Sequence, residues 1–159
     1  MNQMQQHFES QMRKLSEMAD DMRGAPTPEQ IFRLEDAIRG SGLPMVDIDV
    51  VHYHAKGLYG RQILIPAGTI CTGKMHKDHT LNVCVGDIEV LTSKGMKRLR
   101  GWNVFVTEPG IKKCAFTYAD TVFLNVHATD KTDVGDIERE VTYDQFDAHD
   151  LIEKNGGVS

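Results

Sequence analysis

Between Val46 and His127 the apolar residues recur at alternate positions in short runs, and a turn signal follows almost every run. Val46, Ile48 and Val50 alternate with Asp47 and Asp49, the pattern of a half-buried strand. Further strands are predicted over 50–54, 58–65, 69–74, 79–85, 87–92, 96–100, 102–106, 113–118 and 121–127. Pro66–Gly68, Gly86-Asp87, Lys94-Gly95 and Pro109-Gly110 are read as the turns between them. Many short strands at close spacing call for a sandwich or a closed barrel. The absence of strand–helix alternation argues against a parallel α/β sheet.

The two ends have a different period. Met4, Phe8, Met12, Leu15, Ala19 and Met22 recur at steps of four and three, which predicts a helix over 2–23 with one apolar stripe. A helix of that length is marginal alone in water, so something must cover the stripe. It either packs on its own domain or meets another chain. The second expectation makes Met4, Phe8, Met12, Leu15 and Met22 oligomer contacts and the protein at least a dimer. Thr27-Pro28-Glu29-Gln30 has the spacing of a capping box with proline at the first helical position, and Ile31, Leu34 and Ile38 give the next helix an apolar edge. Gly40, Gly42 and Pro44 stop it. A short helix is expected within 130–141, capped by Thr132 or Asp133. The organisation is then a helical extension over 1–44, a barrel over 45–128 and an acidic helix and tail over 129–159.

A chain of 159 residues is one domain by length and can bury a core of its own. Its net charge of −5 argues against general nucleic-acid binding. The charge is uneven. Lys94, Lys97, Arg98, Arg100, Lys112 and Lys113 crowd one segment, and 130–154 is rich in acids, which suits self-association, an anionic partner or two ordinary solvated faces. Cys71, Cys84 and Cys114 are odd in number and far apart, so neither a disulfide framework nor a zinc knuckle is indicated. No run approaches the ~20 apolar residues of a membrane span. No apolar signal-peptide core opens the chain. These features predict a cytoplasmic protein with no membrane partner.

The stretch IPAGTICTGKMHKDHTLNVCVGDIEV, residues 65–90, resembles the first motif of the cupin superfamily: Gly, five residues, His-x-His, three or four residues, Glu, six residues, Gly. Laid on this chain the motif begins at Gly68 and closes at Gly86. Lys74 then stands at the first histidine position, His76 at the second and His79 at the glutamate position. Gly101 and Glu108-Pro109-Gly110 resemble the second motif, with Lys113 at its histidine position and Thr117 at its asparagine position. The phrases GLYGRQILIPAGT, TGKMHK and FVTEPGIKK look most like small cupin-like proteins of tailed bacteriophages and prophages. The resemblance implies a mainly β fold, an antiparallel cupin-type barrel or jelly roll, with N-terminal helices and a short C-terminal helix. It also implies phage or host proteins as partners, and a host cytosol or a virion as location.

The residues present give two chemical readings. A metal needs three or four donors converging at about 2.0–2.3 Å, and a protonated lysine can donate hydrogen bonds but not ligate. Replacement of two ligand positions by Lys74 and Lys113 leaves His76 and His79 for a divalent Fe, Mn or Zn, with His127, His52 or His54 as recruits. Residues three apart on a strand point to opposite faces, so a loop or bulge after His76 is required. On the last strand Phe123, Asn125 and His127 share one face, and the apolar set Val122, Leu124 and Val126 is expected to be the one that lines the barrel. The second reading makes the pocket basic. Lys74 and Lys113, with His76, Asn82, Tyr59 and Arg61, would hold a carboxylate, phosphate or sugar acid, and no cofactor is expected. Trp102 is read as a core or barrel-end residue. No nucleophile elbow, phosphate loop or His-Glu-x-x-His pair is present. Two function classes stand side by side: a non-catalytic oligomeric interaction or assembly module, and a metal-dependent enzyme working through His76 and His79.

Overall fold

A computed structural model describes residues 2–21, 24, 26–92 and 94–144. Two helices, α1 (Gln3–Asp21) and α2 (Pro28–Gly40), precede seven strands: β1 (Asp49–Ala55), β2 (Leu58–Ile65), β3 (Ile70–Thr72), β4 (Thr80–Thr92), β5 (Gly95–Thr107), β6 (Cys114–Thr117) and β7 (Thr121–Ala128). A third helix, α3 (Val134–Val141), follows. All pairings are antiparallel, in the order β1-β2-β7-β4-β6-β3 with β5 on β4. This is the mainly β, antiparallel jelly roll expected, with N-terminal helices and a short C-terminal helix.

The helix ends follow local chemistry. The Thr27 hydroxyl accepts from the Gln30 amide at 3.3 Å and Gln30 Oε1 accepts from the Thr27 amide at 2.8 Å, which completes the capping box. Ser41 caps the other end, and Gly42 beyond it has φ +69°. Asp133 caps α3 by accepting from Asp136 N–H.

Gly86-Asp87 is not a turn. β4 runs unbroken through it, as β5 runs through Gly101, and the two glycines lie opposite each other in the ladder. Before Gly86, β4 pairs with β7 through 81–85; beyond it, β4 pairs with β6 through 88–90. The two long strands therefore bend together and serve both walls of the barrel. Both glycines have positive φ, +154° and +67°, and a Cβ on Gly86 would stand 2.7 Å from Thr121 Cα. The sequence pattern of two short strands on either side of a turn is what such a bend leaves behind.

Each wall has an inner face. Ile65, Cys84, Ile88, Val90, Ala115 and Phe123 form the barrel core. The wall made by β3, β6 and the distal half of β4 is covered outside by the helices: Leu15 of α1 and Ile31 and Leu34 of α2 pack on Leu91 and Cys114. Leu15 thus belongs to the chain's own core, whereas Met4 and Met12 are exposed. Met22 and the Phe8 side chain, named as oligomer contacts, lie outside the described residues. A buried ion pair, Lys112 Nζ to Glu35 Oε2 at 2.7 Å, joins α2 to the barrel, and Thr72 donates to the same carboxylate oxygen at 2.5 Å.

The other wall reverses the parity expected of β7. Phe123 and His127 are buried, with Asn125, on the inside, while Val122, Leu124 and Val126 are on the outer face. The register places Trp102 beside Val85 and Val122, Val104 beside Val83 and Leu124, and Val106 beside Leu81 and Val126. Trp102 is not a core residue, being 71% exposed. The inference from hydropathy failed because the inner face carries the polar residues Arg61, Asn82, Asn125 and His127 while the outer face is apolar, so the more apolar set did not mark the inside.

The bend gives a direct expectation. Gly86→Ala should cost about 3 kcal/mol or more, since it adds backbone strain and a clash with Thr121. Gly68→Ala, with φ +72° but open space around its Cβ, should cost only about 1–2 kcal/mol. Denaturant midpoints of the two variants check the order.

Candidate functional site

The inner face of β1, β2 and β7 faces β4 and β6 across a cavity of about 440 Å³. Alternation along the strands chooses its lining: Tyr59, Arg61 and Ile63 from β2, Phe123 and Asn125 from β7, Ile88 and Val90 from β4. The 73–76 loop brings Lys74 and His76, the start of β6 brings Lys113, and α3 closes one side with Ile137, Glu138 and Val141. That loop is held by the chain beyond α3. His76 forms an isolated β-bridge with Thr142, Lys77 N–H donates to Val141 O at 2.9 Å and Tyr143 N–H to Met75 O at 3.0 Å.

The polar end of the cavity is one connected network. His76 Nδ1 lies 2.8 Å from Thr80 Oγ1, and its ring meets the His127 ring edge-on, with centroids 4.8 Å apart. His127 stacks toward Tyr59 at 6.4 Å, and the Tyr59 hydroxyl is 2.7 Å from His52 Nδ1. His54 packs on the same tyrosine ring at 5.4 Å. Asn82, fully buried on β4, is fixed by donating from Nδ2 to Thr107 Oγ1 at 2.8 Å and to the Thr80 carbonyl at 3.0 Å. That orientation leaves its Oδ1 as an acceptor, which takes hydrogen bonds from Asn125 Nδ2 at 2.6 Å and from Lys113 Nζ at 3.2 Å.

Burial governs the charge states. Loss of water pushes the Lys113 amine down to about 8. Burial first, then the Lys113 charge, pushes His76 down to about 3 and His127 down to about 4. Both imidazoles are therefore neutral at physiological pH. The three thiols are free and burial holds them in the S–H form, with Cys71 and Cys84 raised to about 11 and Cys114 to about 12.

The structure brings together Tyr59, Arg61, His76 and Lys113 on one cavity, with Asn82 reaching Lys113 behind its lining. Lys74 stands at the mouth, exposed and paired with Glu138. His79 is exposed and faces Glu108, with Nε2 2.7 Å from Oε2. Among the described residues no three His, Cys, Asp or Glu side chains are grouped so as to hold a metal ion. Sequence reasoning missed Thr80, Thr107 and Asn125, and put His127 on the wrong face. The available signal was the polar residues at alternate positions: the register sets Asn82 of β4 beside Asn125 of β7, and Thr80 of β4 beside Thr107 of β5.

No family model matches the chain, and no curated protein matches it. Among solved structures the chain is similar to KdgF from Halomonas sp., at 19% identity over 51% of this chain and 77% of that one, with a TM-score of 0.41. A cupin superfamily protein from Desulfitobacterium hafniense is similar at 9% identity over 55% and 83%, TM-score 0.45. A cupin domain from Bordetella pertussis is similar at 14% identity over 55% and 99%, TM-score 0.42. Among the described residues no helix is long and apolar enough to cross a membrane.

The buried imidazoles set a pH dependence. Their folded values lie below the ordinary 6.5, so the unfolded chain takes up protons that the folded chain refuses. Stability is complete above about pH 6.5 and is lost as pH falls toward 4 and 3. Lys113 and Arg61 oppose protonation of both rings, and Asp78 favours it at His127. Urea midpoints should fall from pH 7 to pH 5, and less steeply in His127→Gln.

Proposed function

We propose that this chain is a non-catalytic cupin-type module that binds a small organic anion inside its barrel and acts as an oligomeric interaction or assembly component. The observation that carries the reading is Lys113. Its ammonium is buried, its hydrogen-bond partner is the neutral Asn82, and no ion pair joins it to an acid among the described residues. A buried cation without a counter-charge is costly. Arg61 adds a second cation to the cavity wall, and Glu138, the acid on that wall, is engaged by Lys74. The rest of the lining, including Ile63, Ile65, Val90 and Phe123, suits a carbon skeleton. A carboxylate, phosphate or sugar acid with an apolar portion fits this combination. Two imidazoles held near 3 and 4 are poor general bases at neutral pH, which favours binding over catalysis.

The assembly role rests on two supports. Met4 and Met12 present an exposed apolar edge on α1, and the central phrases of the sequence resemble phage-encoded proteins. In that setting the partners are further copies of the chain and phage or host proteins, in the host cytosol or the virion. The alternative reading is a metal-dependent enzyme built on His76 and His79.

Calorimetric titration with a panel of small carboxylates and phosphate monoesters tests the binding reading. At least one should bind, Lys113→Met should weaken it by about tenfold or more, and affinity should fall as pH rises through about 8 and the amine loses its proton. Equal binding by Lys113→Met overturns the reading. Stoichiometric Fe, Mn or Zn retained through purification and lost in His76→Ala would favour the metal enzyme instead. For α1, the double variant Met4→Lys/Met12→Lys should sediment as a smaller species than the wild type.

A further inference from the structure

Lys112 and Lys113 are both buried, and Glu35 neutralises the first at 2.7 Å. The second puts its amine into the cavity, 3.2 Å from Asn82 Oδ1 and 5.9 Å from the centre of the Phe123 ring. Asn82 can offer it only that oxygen, because its Nδ2 donates to Thr107 Oγ1 at 2.8 Å and to the carbonyls of Thr80 and Phe105 at 3.0 and 3.2 Å. Asn82 therefore holds one N–H of the amine without engaging the nitrogen lone pair. The groups around it do not neutralise it. Arg61 of β2 is a second cation, His76 and His127 are neutral, burial keeps the Cys71 and Cys114 thiols and the Tyr59 hydroxyl protonated, and Glu138 of α3 is engaged by Lys74. A desolvated lysine near another cation is the arrangement that makes an amine nucleophilic near neutral pH. Burial brings this one down to about 8, so part of it is free amine there.

We propose that Lys113 is an imine-forming residue, whose Nζ condenses reversibly with the carbonyl carbon of a small α-keto acid while Arg61 holds the carboxylate of that acid. The inference rests on the reading of the cavity as an anion site and adds a covalent bond to it. Three observations choose the ligand class. The first is the placing of nucleophile and cation. Arg61 stands opposite Asn125 in one ladder, Asn125 opposite Asn82 in the next, and Asn82 Oδ1 holds the amine. That row spans two strand spacings, roughly 10 Å, which two long side chains close between them. Both cations act on the same two imidazoles. The second is the rest of the wall. Ile63, Ile65, Ile88 and Val90 suit an apolar substituent. The third is size, since about 440 Å³ suits a small acid. In the condensation the Nζ lone pair forms the C–N bond as the carbonyl π pair moves to oxygen. Both hydrogens of the free amine pass to that oxygen, which leaves as water, and the pair left on nitrogen completes the C=N bond. The step consumes no oxidant or reductant, and water reverses it, so the cavity captures the acid without turning it over.

Sodium cyanoborohydride, added to the full-length protein with α-ketoisocaproate, tests this by reducing an imine to a stable secondary amine. The intact mass should rise by that of the acid less one oxygen atom. Peptide mapping should find the label on Lys113 ahead of the exposed Lys56 and Lys97. Lys113→Arg keeps a cation but should lose the label, while still binding isocaproate, the same skeleton without the carbonyl, in calorimetry. Labelling should be severalfold slower in Arg61→Gln. It should also be severalfold slower for the wild type with methyl isobutyl ketone, which lacks the carboxylate, each rate being taken relative to that of free Nα-acetyl-lysine. Label on Lys56 and Lys97 with Lys113 unmodified overturns the inference, and this map of the wild type decides even if a variant fails to fold. If isocaproate binds and the keto acid leaves no label, the imine is overturned and the anion reading stands. If the ketone labels Lys113 as fast as the keto acid, the inference and the anion reading are overturned together.

Discussion

The paired glycines Gly86 and Gly101 are the constraint on which the rest of the molecule depends. They let two thirteen-residue strands turn together from one wall into the other without breaking their ladder. Everything that forms the cavity hangs on that bend. Proximal β4 carries Thr80 and Asn82 against β7, and distal β4 carries Ile88 and Val90 against β6. Thr121 fills the space that a side chain on Gly86 would need, and its hydroxyl accepts from the Asp87 amide at 3.2 Å. The fold therefore locks a strained backbone position by close packing and by a hydrogen bond at the same point.

The cavity owes its character to what is buried without a counter-charge. Lys113 is desolvated, and burial first, with the Lys113 charge added, depresses both imidazoles beside it. Lys112, its neighbour in the segment before β6, is buried too, but against α2, where Glu35 neutralises it. Neighbouring lysines thus have opposite fates: one is a structural tie between helix and barrel, and the other is an unneutralised donor in a pocket.

Much of this architecture was legible in the residues. The period of two from Val46 to His127, the capping box at Thr27 and Gln30, and the glycine turns at Gly68 and Gly110 are local signals, because backbone φ, hydrogen-bond caps and facial alternation are decided within a few residues. The boundary of α3 and its Asp133 cap are of the same kind. Motif spacing also singled out Lys113, which the structure places on the cavity wall.

What only the tertiary structure decided is which face of each strand looks inward and what covers the other. Phe123, Asn125 and His127 face the cavity although Val122, Leu124 and Val126 are the more apolar set. Hydropathy orders the faces of a strand only when the inner one is apolar, and here the inner face holds the polar groups of a cavity while the apolar face is exposed. Gly86 read as a turn, and Gly101 as a gap between two strands, because a bend and a turn share the same residue preference; the pairing across the ladder tells them apart. Leu15 joined its own core while Met4 remained outside, since helix periodicity sets a stripe's direction but not how far the surface beneath it extends. Local chemistry is written in the sequence. The partner of each face depends on contacts between residues far apart in the chain, and only the folded molecule supplies them.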